Sequence, residues 1–379
     1  MKDFNIKKLE ANDELDHINS FYTKNFQSIK NFFYESNLGF ETCLKISKLT
    51  DEVIKKVYEK FLEEYCIKNT DLIICAVGGY GREHLAPYSD LDLLFVPFKD
   101  DSNVSRAIEK ILDFLWGSDF KVGHSVRKLD EIIEIAKSDY VIQTSLIDCR
   151  SIIGDKKRYS QVIRVIEGFF NSQEPENFIS AKINERNKRI SHHKTNAFLL
   201  EPNIKETVGG LRDLNHLSWF FKRVHKIDKP DELLRNNLIS LTEFKKFKKA
   251  MDFILTVRCY LHFFSERSNE RLTFDLQKKI SQQMKYKSRI TTLSVERFMK
   301  HYYLQVRNIK NLIYSLVFES HKENFKEEKS FIADGTNINN NHIYIKYPQK
   351  FSDNPENFLN IFYDSYKYNC YSDTITYIS

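Results

Sequence analysis

In the stretch VGGYGREHLAPYSDLDLLFV, Val77–Val96, two carboxylates, Asp90 and Asp92, open a hydrophobic run just after a glycine-rich turn. Burying one carboxylate is costly and a second beside it adds like-charge repulsion, so the pair needs a compensating charge. In a strand, residues i and i+2 project from one face. Asp90 and Asp92 are therefore expected to point one way, with Leu91, Leu93 and Phe95 in the core. A divalent cation between the two would relieve the repulsion. Oxygen-only ligands select a hard ion such as Mg2+, which keeps its other positions for water and phosphate oxygens. Upstream, Gly78, Gly79 and Gly81 let the backbone approach a ligand closely, with N–H groups free for phosphate. Arg82 and Ser89 are candidate donors to the same anion. A metal with a phosphate cradle is the minimal apparatus of phosphoryl or nucleotidyl transfer. Taken alone, the D-x-D spacing also suits a surface turn in which Asp90 caps the next element and Asp92 is solvated. The string is not a Walker loop, since no Gly-Lys-Ser/Thr follows, nor a dinucleotide fingerprint, since the third glycine is missing.

A second chemistry-bearing string is LLEPNIKETVGGLRDLNHLSWF, Leu199–Phe220. Glu201-Pro202-Asn203 reads as a turn or helix start, and Gly209-Gly210 as a tight bend. Arg212-Asp213 then opens an amphipathic helix. Lys205, Arg212 and the free N–H groups at that helix start suit a triphosphate. A helix–turn–helix corner with solvated charges is the alternative.

The elements that must position these strings follow from periodicity. Residues 1–70 read as helical, with apolar positions every three or four residues, as at Val53, Val57, Phe61 and Leu62. Leu72–Val77 is a continuous apolar run ending in Gly78-Gly79, which suits a strand buried on both faces. Leu91–Val96 is expected as a second strand, with a loop or short helix between. Val122–Val126 reads as a third strand, Leu129–Ala136 as a helix, and Thr144–Asp155 as a further strand turning at Gly154. Helical periodicity dominates from about Tyr159 to Phe325. Lys326–Asp334 is a polar break, and a strand is expected at Ile343–Tyr347. The expected organisation is an N-terminal helical segment (1–70), a catalytic domain (71–158), a helical domain bordering the site (159–325), and a linker with an incomplete C-terminal segment (326–379).

The 58 basic and 52 acidic residues leave a net charge of +6. That suits an anionic substrate, but the two signs are interspersed, and clusters such as Lys245–Lys249 fit a solvated helix face better than a nucleic-acid site. No apolar run is long enough to span a membrane, and the polar N-terminus lacks a signal-peptide core, so a cytoplasmic protein is expected. Cysteines 43, 66, 75, 149, 259 and 370 form no C-x-x-C pair. They are expected as reduced core filler rather than zinc ligands or disulfides.

The string GGYGREHLAPYSDLDLL resembles the signature of the polymerase-β-like nucleotidyltransferases, in the form found in the bacterial PII uridylyltransferase/uridylyl-removing enzymes. EPNIKE and GGLRDL are similar to a segment bordering the nucleotide site in those enzymes, although Thr207-Val208 stands where Gly-Pro is common. GHSVRKLDE (Gly123–Glu131) and the region Arg258–Tyr303 resemble the family too. On residues alone these pack the helical domain, and His262, His301 and the His192-His193 pair are expected as core histidines. The resemblance implies an α+β fold, with a small mixed sheet preceded by helices and followed by an all-α region. It also implies Mg2+ held by Asp90, Asp92 and a third acid on a later strand, matched by Asp148 in SLIDCR. The implied activity is UMP transfer from UTP to a tyrosine of the PII nitrogen-signalling protein, with Asp148 helping to activate the hydroxyl. Gly78, Gly79, Gly81, Arg82, Ser89, Lys205, Gly209, Gly210 and Arg212 would position the triphosphate. Family members continue into an HD phosphohydrolase domain and two ACT domains. No His-Asp dipeptide occurs in this sequence, so uridylyl-removing activity is not expected of it, and the chain reads as truncated or naturally short. Because the motifs encode metal and triphosphate rather than base or acceptor, adenylylation of another protein and a non-catalytic nucleotide- or PII-binding paralogue stand as alternatives.

Overall fold

The computed structural model describes residues 2–193, 199–227 and 230–318, strands at 331–333, 336–339 and 342–345, and single residues 356, 363 and 367. Two long helices, α1 (Lys2–Ser36) and α2 (Gly39–Glu64), come first. Next come β1 (Leu72–Ala76), a single turn α3 (Gly78–Gly81), β2 (Leu91–Pro97), α4 (Ser102–Gly117) and β3 (Val122–Val126). After α5 (Leu129–Ser138), α6 (Tyr140–Ile147) and β4 (Arg150–Ile153) the chain is helical: α7 (Lys156–Asn171), α8 (Pro175–His193), α9 (Leu211–Phe220), α10 (Pro230–Arg235), α11 (Leu241–Ser265), α12 (Phe274–Gln283) and α13 (Ser294–Ile313). The fold is thus α+β, as the sequence implied. Met1–Tyr314 form one compact unit. Ser315–Ser379 form a second, whose described strands β5 (Phe331–Ala333), β6 (Thr336–Asn339) and β7 (His342–Ile345) pair as an antiparallel meander. The expected strand at 343–347 is described only to Ile345. Most of the segment 326–379, with Cys370, lies outside the described residues, as do the side chains of His192 and His193.

The small sheet has the order β3-β2-β1-β4, with β2 and β3 parallel and the other pairs antiparallel. All five residues of β1 are buried. Leu72, Ile74 and Ala76 join the layer built with α2 and α4, while Ile73 and Cys75 join that built with α5, α6 and α7. Covering on both faces is why this run is continuously apolar rather than alternating. β2 divides in the same way: Leu91, Leu93 and Phe95 enter the first layer, and Leu94 and Val96 the second. The aspartate face is therefore not exposed along its length. It is open only at the strand's first turn, where Asp92 is exposed and Asp90 precedes the strand.

One expected element is corrected. The run Thr144–Asp155 is not a single strand, because helix α6 continues to Ile147 and β4 begins only at Arg150. The Asp139 carboxylate caps α6 by accepting the Val141 N–H at 2.6 Å. A short apolar run without such a cap reads equally as strand or helix. Asp148 consequently sits at the helix-to-strand corner.

The helical elements close on the sheet through tight backbone contacts. Gly39 starts α2 against α11, where an added Cβ would lie 2.1 Å from the Thr256 nitrogen. The orphan amides of that helix start donate across the interface, Gly39 N–H to Thr256 Oγ1 and Phe40 N–H to Asp252 Oδ1, each at 3.0 Å. Cys43 and Cys259 are buried beside this junction, their sulfurs 3.7 Å apart. No described helix is long and apolar enough to cross a membrane.

Candidate active site

The carboxylate of Asp92 is held in a slot between two glycines. An added Cβ at Gly78 would lie 3.1 Å from Asp92 Oδ2, and one at Gly123 would lie 2.9 Å from Oδ1. Gly78 also has φ +58°, a conformation that glycine adopts without a side-chain penalty. Gly123 stands directly beside Asp92 in the parallel register of β2 and β3. Backbone bonds fix the slot: Val77 N–H donates to the Asp92 carbonyl (3.0 Å), and Leu91 N–H to the Lys121 carbonyl (2.7 Å). Partial burial raises the Asp92 pKa, and the neighbouring Asp90 raises it further, while Lys205 and Arg82 act in the opposite direction. Both expected signature strings thus face the same carboxylate. Ser89 Oγ, one residue before Asp90, is buried without a hydrogen-bond partner.

Asp148, expected as a third metal ligand, lies at the corner between α6 and β4. Its side chain is fully buried, and both oxygens are engaged. Oδ2 accepts from Arg82 Nη1 and from the Trp219 indole at 2.8 Å, and Oδ1 from Lys222 Nζ at 3.1 Å. Among the described residues, no three His, Cys, Asp or Glu side chains gather into a group that could hold a metal ion. Asp90 and Arg82 both act on Asp92, and Arg82, which binds Asp148, places its guanidinium 5.8 Å from the Trp219 ring.

The remaining expected residues divide by task. Gly81 serves packing, since a Cβ there would lie 1.9 Å from the Asp148 carbonyl oxygen, while Gly79 meets only the Arg82 side chain, at 3.9 Å. Gly209, at φ +77°, and Gly210 allow close approach to the Val306 and Ile204 carbonyls, at 2.2 and 2.5 Å from an added Cβ. Lys205 makes no ion pair among the described residues and acts on Asp92. Arg212 instead pairs with Glu206 at 3.0 Å. Asp213 is buried and bound by Arg186 (3.1 Å), Arg189 (2.6 Å) and the Gly209 N–H (2.8 Å). Burial alone would raise its pKa, but the two guanidiniums and that N–H outweigh it and hold the value down to about 2.

Residues 177–317, which carry Lys205, Arg212 and Trp219, match the model of the GlnD PII-uridylyltransferase family. That stretch carries a domain of the GlnD PII-uridylyltransferase family. The similarity extends further, to proteins called bifunctional uridylyltransferase/uridylyl-removing enzyme. The chain is 36% identical over 301 residues to that of Caulobacter vibrioides, covering 78% of this chain and 32% of the relative. It is 37% identical over 280 residues to that of Phenylobacterium zucineum (72% and 30%), and 38% identical over 285 residues to that of Novosphingobium aromaticivorans (75% and 31%). The chain therefore spans about a third of the length of these relatives.

Several residues of the candidate site carry no signal in the linear sequence. Trp219 and Lys222 reach Asp148 across more than seventy positions. Tyr80, inside the glycine turn, is fully buried and donates to Asp51 Oδ1 (2.7 Å), which Arg150 also binds. That triad anchors α3 to α2 and β4. Gly123 was visible only as part of a familiar segment. Its role at Asp92 depends on the parallel pairing of β3 with β2. His262 is buried, as expected, and His301 packs against Tyr286 and Phe253.

Proposed function

We propose that this chain is a nucleotidyltransferase that moves UMP from UTP to a tyrosine hydroxyl of the PII protein and releases pyrophosphate in the cytoplasm. The observation that carries the reading is the Asp92 slot, in which a carboxylate repelled by Asp90 lies between two glycines, open to solvent and faced by Lys205 and Arg82. The paired carboxylates, the side-chain-free space around them and the orphaned Ser89 hydroxyl fit a hard cation carrying phosphate. Asp90 and Asp92 would hold Mg2+, which when bound supplies charge neutralisation to the triphosphate and the departing pyrophosphate. Lys205 and Ser89 bind the anion. Arg82 offers it the edge not committed to Asp148.

Asp148 keeps Arg82 pointed at the site and is itself held in place by Lys222 and the Trp219 N–H. Among the described residues Oδ1 of Asp148 accepts only from Lys222, so it is the oxygen that would ligate metal or receive the tyrosine proton. In the transfer, the tyrosine oxygen attacks the α-phosphorus, the bond from that phosphorus to the bridging oxygen of pyrophosphate breaks, and the hydroxyl proton passes finally to solvent water. Glycines 78, 79 and 81 shape the turn under Asp92, and Gly209 and Gly210 set the path of the loop bearing Lys205.

The test is intact-mass measurement of PII after incubation with this chain, Mg2+ and either UTP or ATP, with Asp92→Asn in parallel. A UMP-sized increment with UTP alone, lost in the variant, is the expected result. An AMP increment would reassign the base, and no increment with either nucleotide would overturn PII as the acceptor for this chain.

A further inference from the structure

The two signature loops share one fastening, which neither motif contains. His262, in α11, is fully buried, and its Nδ1 donates to the Pro87 carbonyl at 2.5 Å, in the loop that delivers Ser89 and Asp90. That loop needs holding: Glu83 and Tyr88 have φ of 61° and 58°, left-handed values costly to side chains of their size. Tyr88 is held further by edge-on contacts with Phe26 and Phe263. Nε2 of the same imidazole lies 3.5 Å from Glu270 Oε1. That carboxylate is fixed by Arg258, through Nε at 2.9 Å and Nη2 at 2.7 Å. The backbone carbonyl of Glu270 accepts the Ile204 N–H at 2.8 Å, one residue before Lys205. Leu272 N–H donates to the Pro202 carbonyl at 2.9 Å, so Glu270–Leu272 lies along the lysine loop.

The geometry points to His262 and Glu270 as positioning residues that set the spacing between the Asp90–Asp92 pair and Lys205. Neither reaches the reacting groups. The chemical meaning of that spacing, carboxylates for metal against a lysine for triphosphate, rests on the nucleotidyl-transfer reading. The fastening itself is a property of the fold. A histidine that merely filled the core would present its ring edges to apolar neighbours, whereas here one nitrogen faces each loop.

Two substitutions separate the halves of the brace. His262→Asn puts an amide N–H near the place of Nδ1, keeping the Pro87 bond and withdrawing from Glu270. His262→Gln puts one near the place of Nε2, keeping Glu270 and releasing Pro87. Hydrogen exchange of the full chain reads both loops, through the Ser89 amide bonded to Ala86 and the Ile204 amide bonded to Glu270. His262→Gln is expected to speed exchange at Ser89 about tenfold with Ile204 little changed, by the loss of the Pro87 hydrogen bond, and His262→Asn to speed Ile204 by a smaller factor with Ser89 little changed, by the loss of the 3.5 Å approach to Glu270. The half-saturating Mg2+ for UTP binding, followed by tryptophan fluorescence in a Trp116→Phe background, should rise about tenfold in the Gln variant and stay near wild type in Asn. Equal effects of both variants on both amides, no effect of either, or an unmoved Mg2+ requirement in the Gln variant would overturn the brace. If exchange divides as expected while the wild type binds no Mg2+ with UTP and transfers no UMP, the brace stands and the transfer reading falls.

Discussion

Gly123→Ala isolates the Asp92 slot from every other property of the protein. The backbone at Gly123 is not left-handed, so alanine adopts it freely, and the only side chain its methyl meets within 4 Å is that of Asp92. An added Cβ lies 2.9 Å from Oδ1, and ordinary contact begins at 3.4 Å, so carboxylate or strand must give by about 0.5 Å. Misplacement of a catalytic group by 1 Å can cost about a hundredfold, which puts the expected loss in kcat/KM at roughly ten- to a hundredfold. Fold stability should move the other way, because replacing a strand glycine lowers the entropy of the unfolded chain by the equivalent of roughly 0.5–1 kcal/mol. The assay is the initial rate of PII mass increase at saturating UTP across an Mg2+ series, with thermal unfolding measured on the same preparations. Gly117→Ala is the control, since a Cβ there meets nothing within 4 Å. The reasoning is refuted if Gly123→Ala transfers within twofold of wild type, or if its lost activity tracks a fall in Tm.

Three further outcomes are expected. Gly81→Ala, whose methyl would stand 1.9 Å from the Asp148 carbonyl oxygen, should cost stability near the upper end of about 1–3 kcal/mol, measured by urea unfolding. Asp92→Asn should abolish transfer yet raise Tm without metal, because burial and Asp90 make the ionised Asp92 costly to the fold, and added Mg2+ should stabilise wild type but not the variant. Asp213 is ionised in the fold down to about pH 2, below its unfolded value of roughly 3.9, so its ion pairs contribute stability above pH 4 that is lost as pH falls through that window. Asp213→Asn leaves Arg186 and Arg189 buried without their carboxylate and should cost about 3–5 kcal/mol at neutral pH, with a smaller difference from wild type near pH 2, followed by circular dichroism.

Much of this molecule is written locally. The apolar run of β1, the glycine turn, the amphipathic helices and the bend before Arg212-Asp213 each follow from spacing and turn chemistry over a few residues, where backbone geometry itself imposes the pattern. Asp90 and Asp92 were legible because a charge pair opening a buried strand conflicts with burial and therefore asks for a ligand. The misread segment, Thr144–Asp155, is an apolar run too short for period to distinguish helix from strand, and the cap at Asp139 decided it.

What only the tertiary structure decided is who faces whom. Asp148 is expected as a third ligand from the resemblance of SLIDCR, and only the fold shows that its buried oxygens accept from Arg82, Trp219 and Lys222. Gly123, Trp219, Lys222 and His262 acquire their roles from strand pairing and helix packing that bring together residues dozens to nearly two hundred positions apart. Side-chain type sets what chemistry a residue can do, which the sequence states outright. The distances and dielectric that select among those chemistries exist only once the chain has closed around them.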